Sequence, residues 1–444
     1  MSGMKILMVL PYDNNYRFRA SFTKSLSYMP LTLPYIAALT PKDINAEIKI
    51  ADEGIERVDY DKLGFFDIVA ITAVTSSARR GYELAGYFRK KGSHVAMGGH
   101  HVTLMPDEAS LYADTVFIGG CDETWRQFIY DFIEKKPRRR YTAKGNGRNM
   151  GQNVVPSRGL ANKKRYLGVP TVIANYGCAN KCEFCVINTF WGNVNTTREI
   201  SDVIEEIKGL KSKYILFLDP SPTSDREYAM GLYKSLIPLK IRWAGLCTTD
   251  ITDDGELFGA MIKSGCIGVL MGFETFGQDN LEDAGKKNSV AGYKAVMKKF
   301  HDSGVAVLGT FMLGFDNDTK ESLLKMPDLI EEIGVDLPRF AVLTPYPNTG
   351  LFNRLKAENR IISDDWNDYD SIHSVFRPMN MTAGELEEIL VRVSNEMYTI
   401  KRIFGRLGLI NKGKLIRLLV NMGFRGYNRH VGRLLKVGRR DEAL

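Results

Sequence analysis

The sequence predicts an α/β protein with two successive parallel β-sheets and a helical C-terminal region. Two observations support this prediction: strand-like apolar runs alternate with helical patterns in both halves, and a turn-rich stretch separates the halves. The chain has 444 residues, 44% of them hydrophobic, which suffices for large buried cores. We therefore expect a first α/β domain, a linker, a second α/β domain and a helical end, at residues 1–140, 141–165, 166–350 and 351–444.

The first domain is predicted to be a doubly wound parallel sheet of the flavodoxin or Rossmann type. Five strand-like runs alternate with helical stretches, at residues 5–10, 47–50, 67–72, 94–97 and 115–118. Such sheets bind ligands beyond the carboxyl ends of their strands, where the strand order reverses. Small and polar residues follow three of these strands, at 72–77, 98–103 and 119–124. We therefore expect a ligand site along this edge.

The second domain is predicted to be an incomplete β/α barrel. A strand–helix unit repeats six times, with strands at 170–174, 214–218, 241–246, 266–272, 305–311 and 338–343. Active sites of β/α barrels lie at the carboxyl ends of the strands. A loop with three cysteines follows the first of these strands, so we expect it on that face.

Cys178, Cys182 and Cys185 have the spacing C-x3-C-x2-C. A structural zinc site needs four ligands, and neither a second cysteine pair nor a C-x-x-C…H-x-H set accompanies this run. Six scattered cysteines do not indicate a disulfide framework. Three thiolates on one short loop can instead hold three irons of a [4Fe–4S] cluster and leave the fourth iron open. We expect the other three cysteines to be small core residues: Cys121, Cys247 and Cys266.

The cysteine run resembles the signature of the radical S-adenosylmethionine (SAM) superfamily, and the whole chain resembles its cobalamin-binding enzymes. Residues 98–103 are similar to that family's G-G-x-H-x-T loop, and residues 30–35 to its proline-flanked helix start. Residues 119–124 resemble its G-E-G-E-x-T loop but depart from it at Gly120, Cys121 and Asp122. The resemblance implies a set of cobalamin-binding candidates: Thr75, Ser76, Gly98, Gly99, His101, Thr103, Gly119 and Glu123.

The chain lacks the D-x-H-x-x-G motif that supplies a histidine ligand to cobalt in other cobalamin proteins. The resemblance therefore implies a cobalamin whose own base is displaced and which has no protein histidine below the cobalt. Contact of His100 or His101 with the corrin ring and a plain loop role are both open. A domain that kept the fold and lost the cofactor is the alternative.

The resemblance also implies SAM contacts in the second domain. Phe184 lies inside the cysteine run, and Asp219 ends the second strand, where it either accepts from the SAM amino group or caps the next helix. Glu274 lies in a G-x-E-S-like segment and is expected to bind ribose hydroxyls or the ammonium group. Gly309 and Thr310 begin a segment that resembles the backbone beside adenine.

Two further residues are candidates for the mouth of the barrel. Residues 344–349 resemble a T-P-Y-P-G-T motif of the same family, with Asn348 where the family usually has glycine. We expect Tyr346 and Asn348 to lie at this mouth, although a rigid proline turn also accounts for the segment. Arg198 and Arg242 are expected to be surface or packing residues.

The resemblance implies methylation of an unactivated carbon through a 5′-deoxyadenosyl radical and methylcobalamin. The alternative is ring formation, ring contraction or oxidative cyclisation with the same cofactors, and a non-catalytic carrier is the third reading. Residues 364–381 resemble the branch with the bacteriochlorophyll and hopanoid enzymes, which implies an apolar or natural-product-like small-molecule substrate. We expect a cytoplasmic protein that receives electrons from a flavodoxin or ferredoxin.

The C-terminal tail carries most of the net charge of the chain. From residue 401 onward, twelve lysines and arginines face two acids, whereas the whole chain has a net charge of +8. Apolar residues that include Ile403, Phe404, Leu409, Ile410 and Leu419 are interleaved with them, which is typical of amphipathic helices. A solvated face packed on the body and a surface for an anionic membrane both fit this pattern. No nucleic-acid recognition motif accompanies the charge.

Overall fold

The computed structural model describes residues 3–13, 27–143, 154–408 and 413–441, and their strands form two six-stranded sheets and one two-stranded sheet. The first sheet is parallel, with the order β2-β1-β3-β4-β5-β6. Its strands are β1 (Met4–Leu10), β2 (Ala46–Asp52), β3 (Ile68–Thr72), β4 (His94–Gly98), β5 (Thr115–Ile118) and β6 (Arg140–Thr142). The five predicted strands are confirmed, and β6 extends the sheet at the predicted domain end.

Helices cover both faces of this sheet. Alternate residues of β1 enter different cores: Ile6 and Met8 pack on one face, and Leu7 and Val9 on the other. The helices are α1 (Thr32–Leu39), α2 (Tyr60–Leu63), α3 (Ala78–Lys90), α4 (His100–Leu104), α5 (Pro106–Tyr112) and α6 (Asp122–Ile133). Because β1 lies between β2 and β3, the strand order reverses at β1, as in doubly wound sheets.

The second sheet is also parallel, with the order β14-β13-β12-β11-β10-β7. Its strands are β7 (Thr171–Val172), β10 (Tyr214–Phe217), β11 (Arg242–Cys247), β12 (Cys266–Glu274), β13 (Ala306–Leu313) and β14 (Leu337–Val342), and an antiparallel hairpin of β8 (Asn175–Gly177) and β9 (Asn195–Thr197) follows β7. All six predicted strands are confirmed, as an open sheet with β7 and β14 at its edges.

The residues of the second sheet alternate between two environments. In β13, alternate residues from Val307 to Leu313 are buried on one face, whereas the residues between them are half-buried. The connecting helices are α7 (Val186–Trp191), α8 (Ile200–Leu210), α9 (Arg226–Leu236), α10 (Gly255–Lys263), α11 (Gln278–Asp283), α12 (Tyr293–Asp302), α13 (Lys320–Ile333) and α14 (Gly350–Ala357). The half-buried face is therefore the one that is free to line a site.

The C-terminal helices pack on this second unit. They are α15 (Ala383–Met397), α16 (Ile400–Leu407) and α17 (Lys414–Asp441), and Leu409 and Ile410 lie outside the described residues. Ile403 is buried, and Arg417 of α17 donates to Asp336 at 2.7 Å inside the body. In the part of the chain that the structure describes, no helix is both long and apolar enough to span a lipid bilayer.

Candidate functional site

The three cysteines of the predicted cluster lie on one loop between β8 and α7, as half-buried free thiols. The loop starts at Gly177, which has a φ of +75°. A Cβ at this position would lie 1.9 Å from the carbonyl oxygen of Val194, so only glycine permits the close approach of the hairpin strands. The hairpin thereby fixes where the cysteine loop begins.

Glu183, inside the cysteine run, anchors the loop to the rest of the second unit. Its backbone N–H donates to Ala284 at 3.0 Å, and its carbonyl accepts from Leu351 at 3.1 Å. Its carboxylate accepts from Arg354 at 2.9 Å. The loop is therefore held from two directions before any ligand is bound, which favours a fixed geometry for the thiols.

The ammonium of Lys286 favours the thiolate form of two cysteines in the loop, and the thiolate is the form that binds metal. Burial raises the pKa of Cys182 to about 11 and also raises the pKa of Cys185, while the ammonium of Lys286 opposes both shifts. Metal cations deprotonate such thiols when they bind. No three His, Cys, Asp or Glu side chains of the described residues are close enough for a single metal ion. A [4Fe–4S] cluster does not need this closeness, because each thiolate ligates a different iron.

A buried ion pair lies beside the cysteines, at the carboxyl end of β12. The carboxylate of Glu274 accepts a hydrogen bond from the ammonium of Lys286 at 2.8 Å. Its negative charge also contributes to the raised pKa of Cys182. Burial lowers the pKa of Lys286, but the neighbouring carboxylate of Glu274 outweighs burial, so the pKa is raised overall. A Cβ on Gly272 would lie 2.1 Å from Oε1 of Glu274, so glycine makes room for the carboxylate. No motif in the sequence singles out Lys286, although a buried carboxylate requires a partner.

Asp219 fastens the end of β10 to the strand that leads to the cysteine loop. It is 2% exposed and accepts from the backbone N–H groups of Ala174, at 2.5 Å, and Asn175, at 2.8 Å. Burial raises the pKa of its carboxyl group to about 7 despite these hydrogen bonds. Both of its described partners are backbone groups, so its observed role is to position the backbone rather than to cap a helix.

The remaining SAM candidates lie on different surfaces. Phe184 packs against the core with its ring edge-on to Phe315. A Cβ on Gly309 would lie 2.8 Å from Val335, so this position faces the helices. Thr310 is half-buried on the other side of β13, where its hydroxyl donates to Met271 at 3.4 Å. Of the two β13 candidates, Thr310 is the one on the free face.

Tyr346 and Asn348, the candidates for the mouth of the barrel, each contact another segment of the chain. The hydroxyl groups of Tyr346 and Ser371 are 3.0 Å apart. Asn348 has a φ of +59° and donates its side-chain amide to the carbonyl of Leu104, in the first unit. Asparagine tolerates this left-handed conformation better than most residues, which explains how it replaces the glycine of the family motif. Asn348 therefore joins the two units.

A mainly apolar cavity of about 530 Å³ lies where the carboxyl edge of the first sheet meets the hairpin and α7. Three of the predicted cobalamin-binding residues line it: Gly98, Gly99 and Gly119. His100 and Cys121 also line it. Thr75, Ser76, His101, Thr103 and Glu123 are not among the lining residues.

Hydrogen bonds to other residues explain why most of these predicted residues do not line the cavity. His101 is fully buried with Nε2 3.1 Å from the hydroxyl of Tyr82, so its ring faces α3. Thr103 accepts from the N–H of Gly119 at 3.0 Å, and Ser76 donates to Asp13 at 2.9 Å. These residues shape the loops around the cavity. Cys247 and Cys266 are buried, which confirms them as core residues.

Arg198 is a buried cation on the cavity wall. It was expected to be a surface or packing residue, and it is 3% exposed and pairs with Glu206 at 2.7 Å. Arg158 shares the same glutamate, so two guanidinium groups face one carboxylate. Two guanidinium nitrogens of Arg198, Nε and Nη2, have no hydrogen-bond partner in the described structure. The wall therefore presents buried positive charge.

Comparison with known proteins gives the class of this protein. Residues 172–330 match the model of the Radical SAM superfamily, and they include the three cysteines and most of the second sheet. The chain therefore carries a Radical SAM domain, as the cysteine spacing indicated.

Relatives then narrow the class. Bacteriochlorophyllide d C-12(1)-methyltransferase of Chlorobaculum tepidum is 29% identical over 390 residues, which cover 85% of this chain and 84% of that protein. The anaerobic magnesium-protoporphyrin IX monomethyl ester cyclase of Cereibacter sphaeroides is 25% identical over 429 residues, which cover 85% of this chain and 68% of that protein. The predicted resemblance to this branch of the superfamily is confirmed.

A solved structure has the same fold over the whole chain. The radical SAM methyltransferase TsrM from Kitasatospora setae, with cobalamin and a [4Fe–4S] cluster bound, matches with a TM-score of 0.64 and 13% identity and covers 100% of both chains. At this identity the match shows the fold alone. It nevertheless includes the first sheet, which lies outside the Radical SAM domain.

Proposed function

We propose that this protein is a cobalamin-dependent radical SAM C-methyltransferase that methylates an unactivated carbon of an apolar, natural-product-like substrate. One observation carries the proposal: a single cavity is bordered both by the ligand edge of the first sheet and by α7, which follows the cysteine loop. Cofactors held at the edge of the first sheet and at the cysteine loop would both be near this cavity and could act on the same substrate. Apolar walls, such as those formed by Phe117, Phe190 and Trp191, exclude water from reactive species.

The residues of this chain fit the three cofactors of such an enzyme. Cys178, Cys182 and Cys185 would hold a [4Fe–4S] cluster with one iron open to SAM, and the glycine-lined edge of the first sheet would hold cobalamin. When bound, the cluster and SAM supply radical chemistry and cobalamin supplies the methyl group. The protein contributes position and charge: Lys286 keeps a cation beside the thiols, and Glu274 and Thr310 are proposed SAM contacts.

Product analysis tests the proposal. Anaerobically reconstituted protein with reductant, cobalamin, SAM and a cell extract should form S-adenosylhomocysteine together with 5′-deoxyadenosine. Deleting the gene should leave a lipid, tetrapyrrole or secondary metabolite that is lighter by one methyl group. Recovery of intact SAM under these conditions would contradict the proposal and favour a non-catalytic carrier.

A second function is favoured by the cyclase among the relatives, which matches 85% of this chain. The same cofactors would then drive ring formation, ring contraction or oxidative cyclisation without net methyl transfer. Formation of 5′-deoxyadenosine without S-adenosylhomocysteine distinguishes this function from methylation. We propose a flavodoxin- or ferredoxin-type electron donor for either reaction, because the half-buried cysteine loop leaves the cluster accessible.

We also propose peripheral contact with an anionic membrane through a tail patch, defined as five exposed apolar residues of α16 and α17: Ile400, Phe404, Leu415, Ile416 and Leu419. Lys401 and Lys414, both exposed, flank this patch and would attract acidic headgroups. Arg406 and Arg417 are buried and paired within the body, so the usable charge is smaller than the sequence indicates. An apolar substrate dissolved in lipid would make this contact useful.

A further inference from the structure

One loop of the second unit reaches the first unit. Residues 361–376, here called the bridging loop, are closed at their base by an antiparallel pairing of Ile361 with Phe376. Phe376 belongs to the core of the second unit, whereas Trp366 packs on a core of the first unit. The Radical SAM match ends before this loop, at residue 330. The bridging loop therefore connects the hydrophobic cores of the two units, in a part of the chain that the Radical SAM domain does not include.

Trp366 of the bridging loop contacts two residues that follow β4 in the first unit. Its indole Nε1 donates to both carboxylate oxygens of Glu108, at 2.9 and 3.1 Å. Its ring stands edge-on to the imidazole of His101, with 5.2 Å between the ring centroids. His101 is fully buried, and its Nε2 lies 3.1 Å from the hydroxyl of Tyr82 and 3.5 Å from Oε1 of Glu108. Trp366 therefore contacts both a buried imidazole and the carboxylate next to it.

Two consecutive histidines of the first unit thus each contact an aromatic ring of the second unit. His100 stands edge-on to Phe190, with 4.7 Å between the ring centroids, and Phe190 lies on α7, which follows the cysteine loop. His101 has the corresponding contact with Trp366. The two residues before these histidines are glycines that line the cavity. The turn of residues 98–100 is therefore held by two separate segments of the second unit.

The hydrogen bond between Trp366 and Glu108 is the strongest specific link of the bridging loop to the first unit. Arg79 of α3 also pairs with Asp365 at 2.8 Å, but both side chains are partly exposed, and such pairs contribute little. The indole of Trp366 is half-buried and donates to a charged acceptor, and hydrogen bonds of this kind are stronger than neutral ones. Removal of this link should therefore have the largest effect on the turn.

We propose that Trp366 is a positioning residue: through His101 and Glu108 it holds the turn of residues 98–100 in place as a wall of the proposed cobalamin site. The inference deepens the proposed function, on which it rests for the identity of the ligand. Trp366 does not line the cavity, so it acts through the residues that it contacts. A turn that is fixed before its ligand binds loses less conformational entropy on binding, and this raises the affinity for the ligand.

Hydrogen–deuterium exchange of the unloaded full-length protein tests this inference without any cofactor. Three backbone N–H groups report on the turn, because each donates to a carbonyl within or beside it: those of His101, Thr103 and Met105. Trp366→Phe keeps an aromatic ring but removes the hydrogen bond to Glu108. These three amides should therefore exchange about tenfold faster in Trp366→Phe than in the unaltered protein.

Trp243→Phe is the matched control. It removes a similar hydrogen bond, from Nε1 to the hydroxyl of Ser264 at 3.0 Å, but inside the second unit. It should leave the exchange of the three amides unchanged. Faster exchange of these amides in both variants would indicate a general loosening and would overturn the inference, and so would unchanged exchange in Trp366→Phe.

Two variants of Glu108 test the same contact from the first unit, and they decide the matter where Trp366→Phe does not fold. Glu108→Leu removes the acceptor and should accelerate the exchange of the three amides. Glu108→Gln keeps an acceptor oxygen for Nε1 of Trp366 and should restore most of the protection. Equal exchange in the two Glu108 variants overturns the inference.

Binding of hydroxocobalamin separates a positioning role from a mere connection between the units. Trp366→Phe should bind it about two- to tenfold more weakly than the unaltered protein, because the loosened turn must be ordered on binding. The reconstituted iron content should stay unchanged, since the described contacts of Trp366 lie in the first unit and the bridging loop. Faster exchange with unchanged affinity overturns the positioning role. If the unaltered protein binds no cobalamin, the proposed function fails, while the exchange result still decides whether Trp366 holds the turn.

Discussion

The carboxyl edges of the two sheets are built from different kinds of residue. At the second sheet, thiols and charges gather around one loop: three cysteines, the Glu274–Lys286 pair and the Glu183–Arg354 pair. At the first sheet, glycines and apolar side chains leave an open cavity. Reactive side chains that occur in one short run can therefore be recognised in a sequence. A site that is formed by a cavity depends on the direction in which each loop side chain points, and a sequence does not show that direction.

The largest expected effect concerns the cysteine loop at the carboxyl edge of the second sheet. Replacing Cys178, Cys182 and Cys185 with alanine should abolish the brown absorption and SAM cleavage, because no thiolate remains to hold iron. Chemical analysis of reconstituted protein should give about four irons and four sulfides per unaltered chain. Cys247→Ala or Cys266→Ala should keep full iron, since both are core residues. A triple variant that kept its iron would refute the cluster.

The next effect tests the first edge. Gly99 has a φ of +98°, and a Cβ there would lie 2.7 Å from the carbonyl oxygen of Ala73. Gly99→Ala should cost on the order of 1–3 kcal/mol of unfolding free energy and abolish uptake of hydroxocobalamin. Gly86→Ala, in α3, is the matched control because nothing lies within 4 Å of its Cβ. Equal cobalamin uptake by both variants would show that this loop does not shape the site.

The next largest effect should come from the buried Glu274–Lys286 pair at the carboxyl edge of the second sheet. Lys286→Met leaves Glu274 without its cation and should lower the unfolding free energy by about 3–5 kcal/mol in urea titrations. The double variant with Glu274→Gln should recover part of this loss. Lys298→Met, which removes the exposed pair with Asp302, should change stability by less than about 1 kcal/mol. Equal losses for the two lysine variants would mean that burial does not strengthen the pair.

The buried carboxyl group of Asp219 should make the unfolding free energy of the protein depend on pH. Burial raises the pKa of its carboxyl group from the ordinary 3.8 to about 7 in the folded state, so the folded state holds the proton more tightly. Stability should therefore fall as pH rises from about 4 to 7, by on the order of a few kcal/mol. Asp219→Asn should remove this contribution. A difference in unfolding free energy between variant and parent that stays constant across this range would disprove the raised pKa.

The smallest expected effect concerns the tail patch. Full-length protein should sediment with phosphatidylglycerol vesicles at low salt and be released at high salt, because the attraction is screened. Phe404→Ser with Ile416→Ser should weaken the binding, whereas Leu111→Ser, at an exposed site of α5, should leave it unchanged. Deleting the tail would be a poor test, since Ile403 and Arg417 are buried in the body. Vesicle binding that the paired variant leaves intact would refute the contact.

Much of the fold followed from patterns in the chain. The eleven predicted strands are present in order, because apolar alternation and turn residues act locally. The sixth strand of the first sheet, β6, escaped prediction since it has three residues and only its centre, Tyr141, is buried. Of the predicted SAM contacts, Asp219 proved to bind backbone, which no local signal distinguishes from ligand binding.

The sequence by itself determined the class of chemistry, because three cysteines within eight residues must share one loop whatever the rest of the chain does. It also determined the two parallel sheets. Only the tertiary structure decided which neighbours meet: Lys286 beside Glu274, Arg198 at the cavity wall, and His100 rather than His101 at the cavity. Adjacent residues at the start of a helix point in different directions, so the packing around them decides which one faces a ligand.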